Sequence, residues 1–159
     1  MAGDSRLLIM RHGEAGVGRV DHARTLTARG EQEAARMAGW LAAQNDLGTV
    51  RLCASPYRRA QQTAAAVSDA LGVPVETLSN ITPDDAPRAV SDWLLAQPEG
   101  ETIMLVSHMP LVGALCGYLI EGRETRGPGF ATGALAELEA PVWAAGLARL
   151  IRLIEPAQL

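Results

Sequence analysis

Lysine is absent from this 159-residue chain: all 14 basic residues are arginine. One reading is codon usage in a GC-rich genome. The other is that a few of these guanidiniums bind an anion through their planar, two-pronged donor edge; both readings can hold together. Positive charge is not in excess. The 18 acidic residues leave a formal net charge of −4 and a pI near 5.3, which excludes a global basic footprint for nucleic acid. Cysteine is scarce. Cys53 and Cys116 are each flanked by apolar residues and match no CxxC or zinc spacing, so they read as buried thiols in a reducing compartment. No apolar run approaches the roughly 18 residues of a membrane span. The opening MAGDSR has no apolar segment of a secretory leader, so a cytoplasmic protein is expected. Repeats and low-complexity linkers are also missing. What is present is a 48% hydrophobic, 20% charged composition, which excludes intrinsic disorder. The length fits a single domain over 1–159 that can build a core without disulfides or metal.

Apolar patterning predicts alternating strands and helices. Arg6–Met10 is a short apolar run that ends in Arg11-His12-Gly13, and it reads as a buried strand entering a loop. The Gly-rich stretch Glu14–Leu26 follows, with Thr27 as the cap of a helix that should stop near Asn45. That helix carries Ala34, Met37, Ala38, Leu41 and Ala42 at core-facing spacing. Val50–Ala54 is a second strand, and Ser55-Pro56 reads as a cap with Pro at the first helical position. Gly72 ends that helix. Val73–Leu78 is a short strand that its Pro places near a sheet edge. A helix with Ala86, Ala89, Val90, Trp93 and Leu94 on one side comes next. Thr102–Val106 is the most apolar strand, predicted central; it ends at Ser107-His108-Met109-Pro110 and leads into a helix through Ile120. Ala134–Leu138 and Leu147–Ile154 read as two closing strands. The fold class is α/β: a three-layer sandwich with a mainly parallel central sheet and helices on both faces.

Three strand ends then deliver polar residues that can meet: Arg11, His12 and Gly13 from the first, Ser55, Tyr57, Arg58 and Arg59 from the second, Ser107 and His108 from the most apolar one. In a parallel sheet these are all carboxyl ends, where ligands bind. Helix N-termini with free N–H groups would lie beside them, favouring an anion, and the arginine fork matches phosphate oxygens. Each feature has an ordinary explanation alone: a hydrogen-bonded histidine, solvated arginines at a helix start, a Ser-His helix cap. Their coincidence on three strand ends points to a phosphate site. His22 has no partner in view and reads as an ordinary loop residue. Three histidines without ligand spacing do not read as a metal site, and no cofactor is implied.

These segments resemble a known family. Arg11-His12-Gly13 resembles the signature of the histidine phosphatase superfamily, with its phosphoglycerate mutase-like fold. Ser55-Pro56-Tyr57-Arg58-Arg59-Ala60-Gln61-Gln62-Thr63 is similar to its SPxxRAxQT segment, and Ser107-His108 to its second histidine motif. Arg24–Gly30 and Val106–Gly113 are similar to the SixA-type phosphohistidine phosphatases of bacteria, and the likeness runs from Leu7 to about Leu138. The resemblance implies that His12 is a nucleophile that becomes phosphorylated, with Arg11, Arg59 and His108 holding the phosphoryl oxygens. Gly13 is expected at the phosphate, and Arg24 and Asn80 are possible substrate contacts. No metal is required if Arg and His supply the charge. The implied substrate is a phosphohistidine on a signalling or phosphotransfer protein.

The sequence departs from the family at the general acid. Larger relatives carry a Glu after the third strand; here that position falls on Asn80, which cannot donate a catalytic proton. Asp84 or Asp85 stand nearby as substitutes. An imidazole leaving group, whose conjugate acid titrates near about 6.5, tolerates this loss better than an alkoxide. The stretch between Arg59 and Ser107 has no room for a lid domain, so an open site is expected, suited to a histidine displayed on a protein. The alternatives are a small-molecule phosphomonoesterase of the same fold and a non-catalytic phosphoprotein-binding module. No membrane or nucleic-acid partner is expected.

Overall fold

Strand Leu7-Leu8-Ile9-Met10 is buried on both sides, and its alternate residues belong to two different cores. The computed structural model describes residues 3–159. Strands β1 (Ser5–Arg11), β2 (Val50–Ala54), β3 (Val75–Thr77), β4 (Thr102–Ser107), β5 (Leu135–Ala140) and β6 (Arg149–Ile154) form one sheet in the order β3-β2-β4-β1-β5-β6. The first four pair in parallel; β5 and β6 are antiparallel. Helices α1 (Ala28–Ala42) and α2 (Arg58–Leu71) cover one face, where Met37, Leu41, Ala60, Ala64 and Val67 meet Leu8, Met10, Met104 and Val106. Helices α3 (Pro87–Leu95) and α4 (Leu111–Glu121) cover the other, packing Val90, Leu94, Leu111 and Leu115 on Leu7, Ile9, Ile103 and Leu105. The period-two alternation of β1 and β4 thus feeds both cores at once, which is why those strands read as continuous apolar runs. The expected three-layer sandwich is present, with β4 central and β3 at the edge.

Local differences from the sequence reading have identifiable causes. Helix α2 begins at Arg58 with Tyr57 at its N-cap, not at Pro56 after a Ser55 cap. The Ser55 hydroxyl does accept from the Tyr57 N–H, at 3.2 Å, but it is also committed to His108. Helix α1 keeps its Thr27 cap, which accepts from the Gly30 N–H at 3.0 Å, and ends at Ala42, short of Asn45. The β3 ladder is confined to Val75–Thr77, because Pro74 has no N–H to give it. Cys53 and Cys116 are free and buried. Burial raises both thiols to about 12, so neither is a nucleophile at neutral pH. Among the described residues no helix is long and apolar enough to cross a membrane.

Candidate active site

The sheet register delivers the site. Arg11 lies opposite Ser107 across β1 and β4, and Ala54 lies opposite Val106 across β2 and β4. The next residues, His12, His108 and Ser55, therefore emerge side by side at the carboxyl edge. Backbone bonds hold this edge: the His12 N–H donates to the Ser107 carbonyl at 2.9 Å, and the Ser55 N–H to the Val106 carbonyl at 3.0 Å. All three side chains are buried, His12 at 7% exposure and His108 at 1%. Their imidazole centroids are 5.0 Å apart.

Hydrogen bonds assign the tautomers. His12 Nδ1 is 2.7 Å from the Gly13 carbonyl, which only accepts, so Nδ1 carries the proton and Nε2 presents its lone pair. The Arg59 Nε–H points at that lone pair from 3.3 Å. The Ser55 hydroxyl already accepts from Tyr57, and its one proton finds His108 Nε2 at 2.7 Å. With the Ser55 hydroxyl as donor in this pair, His108 Nε2 accepts and Nδ1 carries the proton. That Nδ1 is buried with no partner, an N–H left over for a ligand. Burial, the largest cause, pushes His12 down to about 4 and His108 to about 3; the surrounding guanidiniums act in the same direction. Both imidazoles are neutral at pH 7, the form a histidine nucleophile needs.

Cations and close backbone packing frame the pair. Arg11 Nη1 donates to the Phe130 carbonyl at 2.7 Å, while its Nε is buried without a partner. Desolvation lowers its pKa and Glu33 opposes the effect; the guanidinium remains charged. Arg59 is buried and Arg58 exposed, as expected for neighbours about 100° apart on a helix. The Gly13 N–H is taken by Thr63 Oγ1 at 3.0 Å, and Thr63 donates to the Arg59 carbonyl at 2.8 Å. Gly13 thus orients His12 through its carbonyl and has no free N–H for a phosphate. A Cβ on Gly13 would sit 2.4 Å from the Gly30 carbonyl oxygen, which is why glycine stands there.

The remaining candidates are placed as follows. Arg24 is held in the loop, where its Nε donates to the Gly16 carbonyl at 2.7 Å and its Nη1 to Asp21 Oδ1 at 3.0 Å. Asn80 lies in the turn after β3, next to Ile81, whose carbonyl accepts from Ser107 at 2.6 Å. Asp85 Oδ2 is occupied by the Thr82 amide and hydroxyl at 2.7 and 2.6 Å, so its carboxylate closes a turn. Asp84 is exposed. Two residues of the Gly-rich loop have contacts that the sequence does not announce: Asp21, and His22, which reads as an ordinary loop residue. Asp21 grips Arg59, and His22 sets its ring 6.3 Å from Tyr57 at the rim of an open cleft shared with Pro56, Arg58 and Gln61. Thr63, the last residue of the family-like segment and one of the α2 face that also carries Ala60, Ala64 and Val67, carries the bond that holds Gly13. A polar residue in an otherwise Ala/Val/Leu stripe was the signal. Among the described residues no group of three His, Cys, Asp or Glu is placed to hold a metal.

Comparison with known proteins agrees with this geometry. Residues 7–82 match the histidine phosphatase superfamily (branch 1). The chain is 38% identical over 138 residues to phosphohistidine phosphatase SixA of Escherichia coli K12, covering 84% of each chain. It is 36% identical over 126 residues to the SixA homolog of Haemophilus influenzae, covering 71% of this chain and 76% of the other. The solved structure of the protein histidine phosphatase SixA complexed with tungstate superposes with a TM-score of 0.84 at 33% identity, over 96% of this chain and 98% of that one. With this family match, these identities and a fold shared over nearly the whole length, the chain belongs to the histidine phosphatase superfamily, among its SixA-type members.

Proposed function

We propose that this protein is a phosphohistidine phosphatase that removes phosphate from a histidine on another protein through a phosphorylated His12. The observation that carries the reading is the pair of imidazoles: a His12 Nε2 whose lone pair faces the Arg59 Nε–H in a cationic pocket, beside a His108 Nδ1 with no partner among the described residues. His12 Nε2 attacks phosphorus as the bond to the substrate imidazole breaks. Protonated on its other nitrogen, that imidazole departs neutral. The proton on His12 Nδ1 stays with the Gly13 carbonyl, which supports the positive charge growing on the ring. Arg11, Arg59 and the His108 Nδ1–H bind the phosphoryl oxygens, where charge is greatest in the transition state. Water then attacks the phosphorus of phospho-His12, breaks the same N–P bond and releases inorganic phosphate.

A phosphoramidate substrate also fits what the site lacks. Asn80 carries no proton to give, and the Asp85 carboxylate is engaged by Thr82. An alkoxide leaving group would need that proton; an imidazole does not. The connection between β3 and α3, residues 78–86, is too short to hold a lid domain, which suits a histidine displayed on a protein. The test offers a phosphohistidine protein and a panel of alkyl phosphates to one preparation. Phosphohistidine is expected to have the higher kcat/KM, and Asn80→Glu is expected to improve alkyl phosphates more than phosphohistidine. Preference of the wild type for alkyl phosphates would move the reading to a small-molecule phosphomonoesterase.

A further inference from the structure

Each nitrogen of the buried Arg59 guanidinium has a partner. Nε faces His12 Nε2 at 3.3 Å, Nη1 donates to the Asp21 backbone carbonyl at 2.7 Å, and Nη2 meets Asp21 Oδ2 at 3.3 Å. The other carboxylate oxygen, Oδ1, holds Arg24 Nη1 at 3.0 Å, and Arg24 is fixed in turn to the Gly16 carbonyl. A continuous chain runs from Gly16 through Arg24, Asp21 and Arg59 to the nucleophile. The bond from Arg24, then the nearby Arg59, hold the Asp21 carboxyl below its ordinary pKa, so it is an anion.

The Asp21 carboxylate takes one of the Arg59 Nη2 N–H bonds that a phosphoryl oxygen could use, and two anions do not share one N–H. The Asp21 side chain is 58% exposed, so Oδ2 has water to turn into, and Oδ1 stays tethered to Arg24 as it does so. We propose that Asp21 is a positioning residue that doubles as an internal competitor. It keeps Arg59 aimed at His12 in the empty site, yields Nη2 to the phosphoryl group, and weakens the hold on product phosphate by reclaiming it. This rests on the reading of Arg59 as a phosphoryl ligand.

The test measures affinity for inorganic phosphate by calorimetry in wild type, Asp21→Asn, Asp21→Glu and Arg59→Ala. Asp21→Asn keeps the backbone carbonyl and the side-chain shape but removes the competing charge. It is expected to bind phosphate about fivefold more tightly, the scale of one partly exposed ion pair. Asp21→Glu keeps the charge and is expected to bind as the wild type does. A residue with only a structural role would change affinity the other way, because a loosened Arg59 binds phosphate less well. Unchanged or weaker binding in Asp21→Asn, or equal tightening in Asp21→Glu, overturns the proposal. Phosphate affinity untouched in Arg59→Ala overturns the phosphoryl role of Arg59 itself, and this inference with it.

Discussion

Removing the Ser55 hydroxyl tests how His108 is held. Ser55 is fully buried, and its only proton goes to His108 Nε2. In Ser55→Ala that nitrogen is left bare in a dry site, and the Tyr57 N–H loses its acceptor. An unsatisfied buried partner costs about 1–3 kcal/mol, which for a chain of this length lowers Tm by roughly 2–12 °C. The catalytic effect is separate. Without the serine nothing pins the proton to Nδ1, and each molecule that moves it to Nε2 loses a donor to the phosphoryl group. A hydrogen bond to a charged group is worth about 1.5–3 kcal/mol, so kcat/KM should fall by up to one or two orders of magnitude. Nitrogen-15 NMR of the imidazoles reads the tautomer, thermal unfolding reads stability, and phosphohistidine turnover reads the rate. Retention of the Nδ1–H tautomer together with wild-type kcat/KM would refute the assignment of roles to Ser55 and His108.

Two further outcomes follow from the same geometry. An NMR titration should find His12 and His108 neutral at pH 6, with His12 titrating at about 4 and His108 at about 3. Between an unfolded value near about 6.5 and those folded values, the unfolded chain binds protons that the folded chain refuses, so stability should fall as pH drops through that window and stay level above it; a protein equally stable at pH 4.5 and 7.5 would contradict this. Gly13→Ala should lose most activity, because its Cβ meets the Gly30 carbonyl at 2.4 Å and the backbone that aims His12 must shift; full activity with an unmoved His12 tautomer would show that the contact is soft.

The parts of this molecule visible in its sequence are those fixed by period and punctuation. Strands β1 and β4 announce themselves as apolar runs because both of their faces are buried. His12 and His108 are legible because they directly follow those strands, and Arg59 because it follows the end of β2. Arg59 is singled out by its place in the segment similar to SPxxRAxQT, and helical direction then turns Arg58 elsewhere. The loop residues were not legible. Asp21 has no periodic neighbour and becomes part of the site only when the loop folds back onto α2, a contact across 38 residues of sequence. That Arg24, named as a possible substrate contact, also braces Asp21 was hidden for the same reason. The α2 start was misplaced because Ser55 reads as a helix cap, and only the approach of β4 shows that its hydroxyl belongs to His108.

The central claim is that phosphate passes through His12 Nε2. The direct measurement is intact-mass analysis after rapid mixing with a phosphohistidine protein, quenched without acid so that the N–P bond survives. Wild-type protein should gain the mass of one HPO3, mapped to His12, and the species should decay at the rate of phosphate release. His12→Ala should show neither the adduct nor turnover. Hydrolysis by His12→Ala at the wild-type rate, or an adduct on any other residue, would contradict the account.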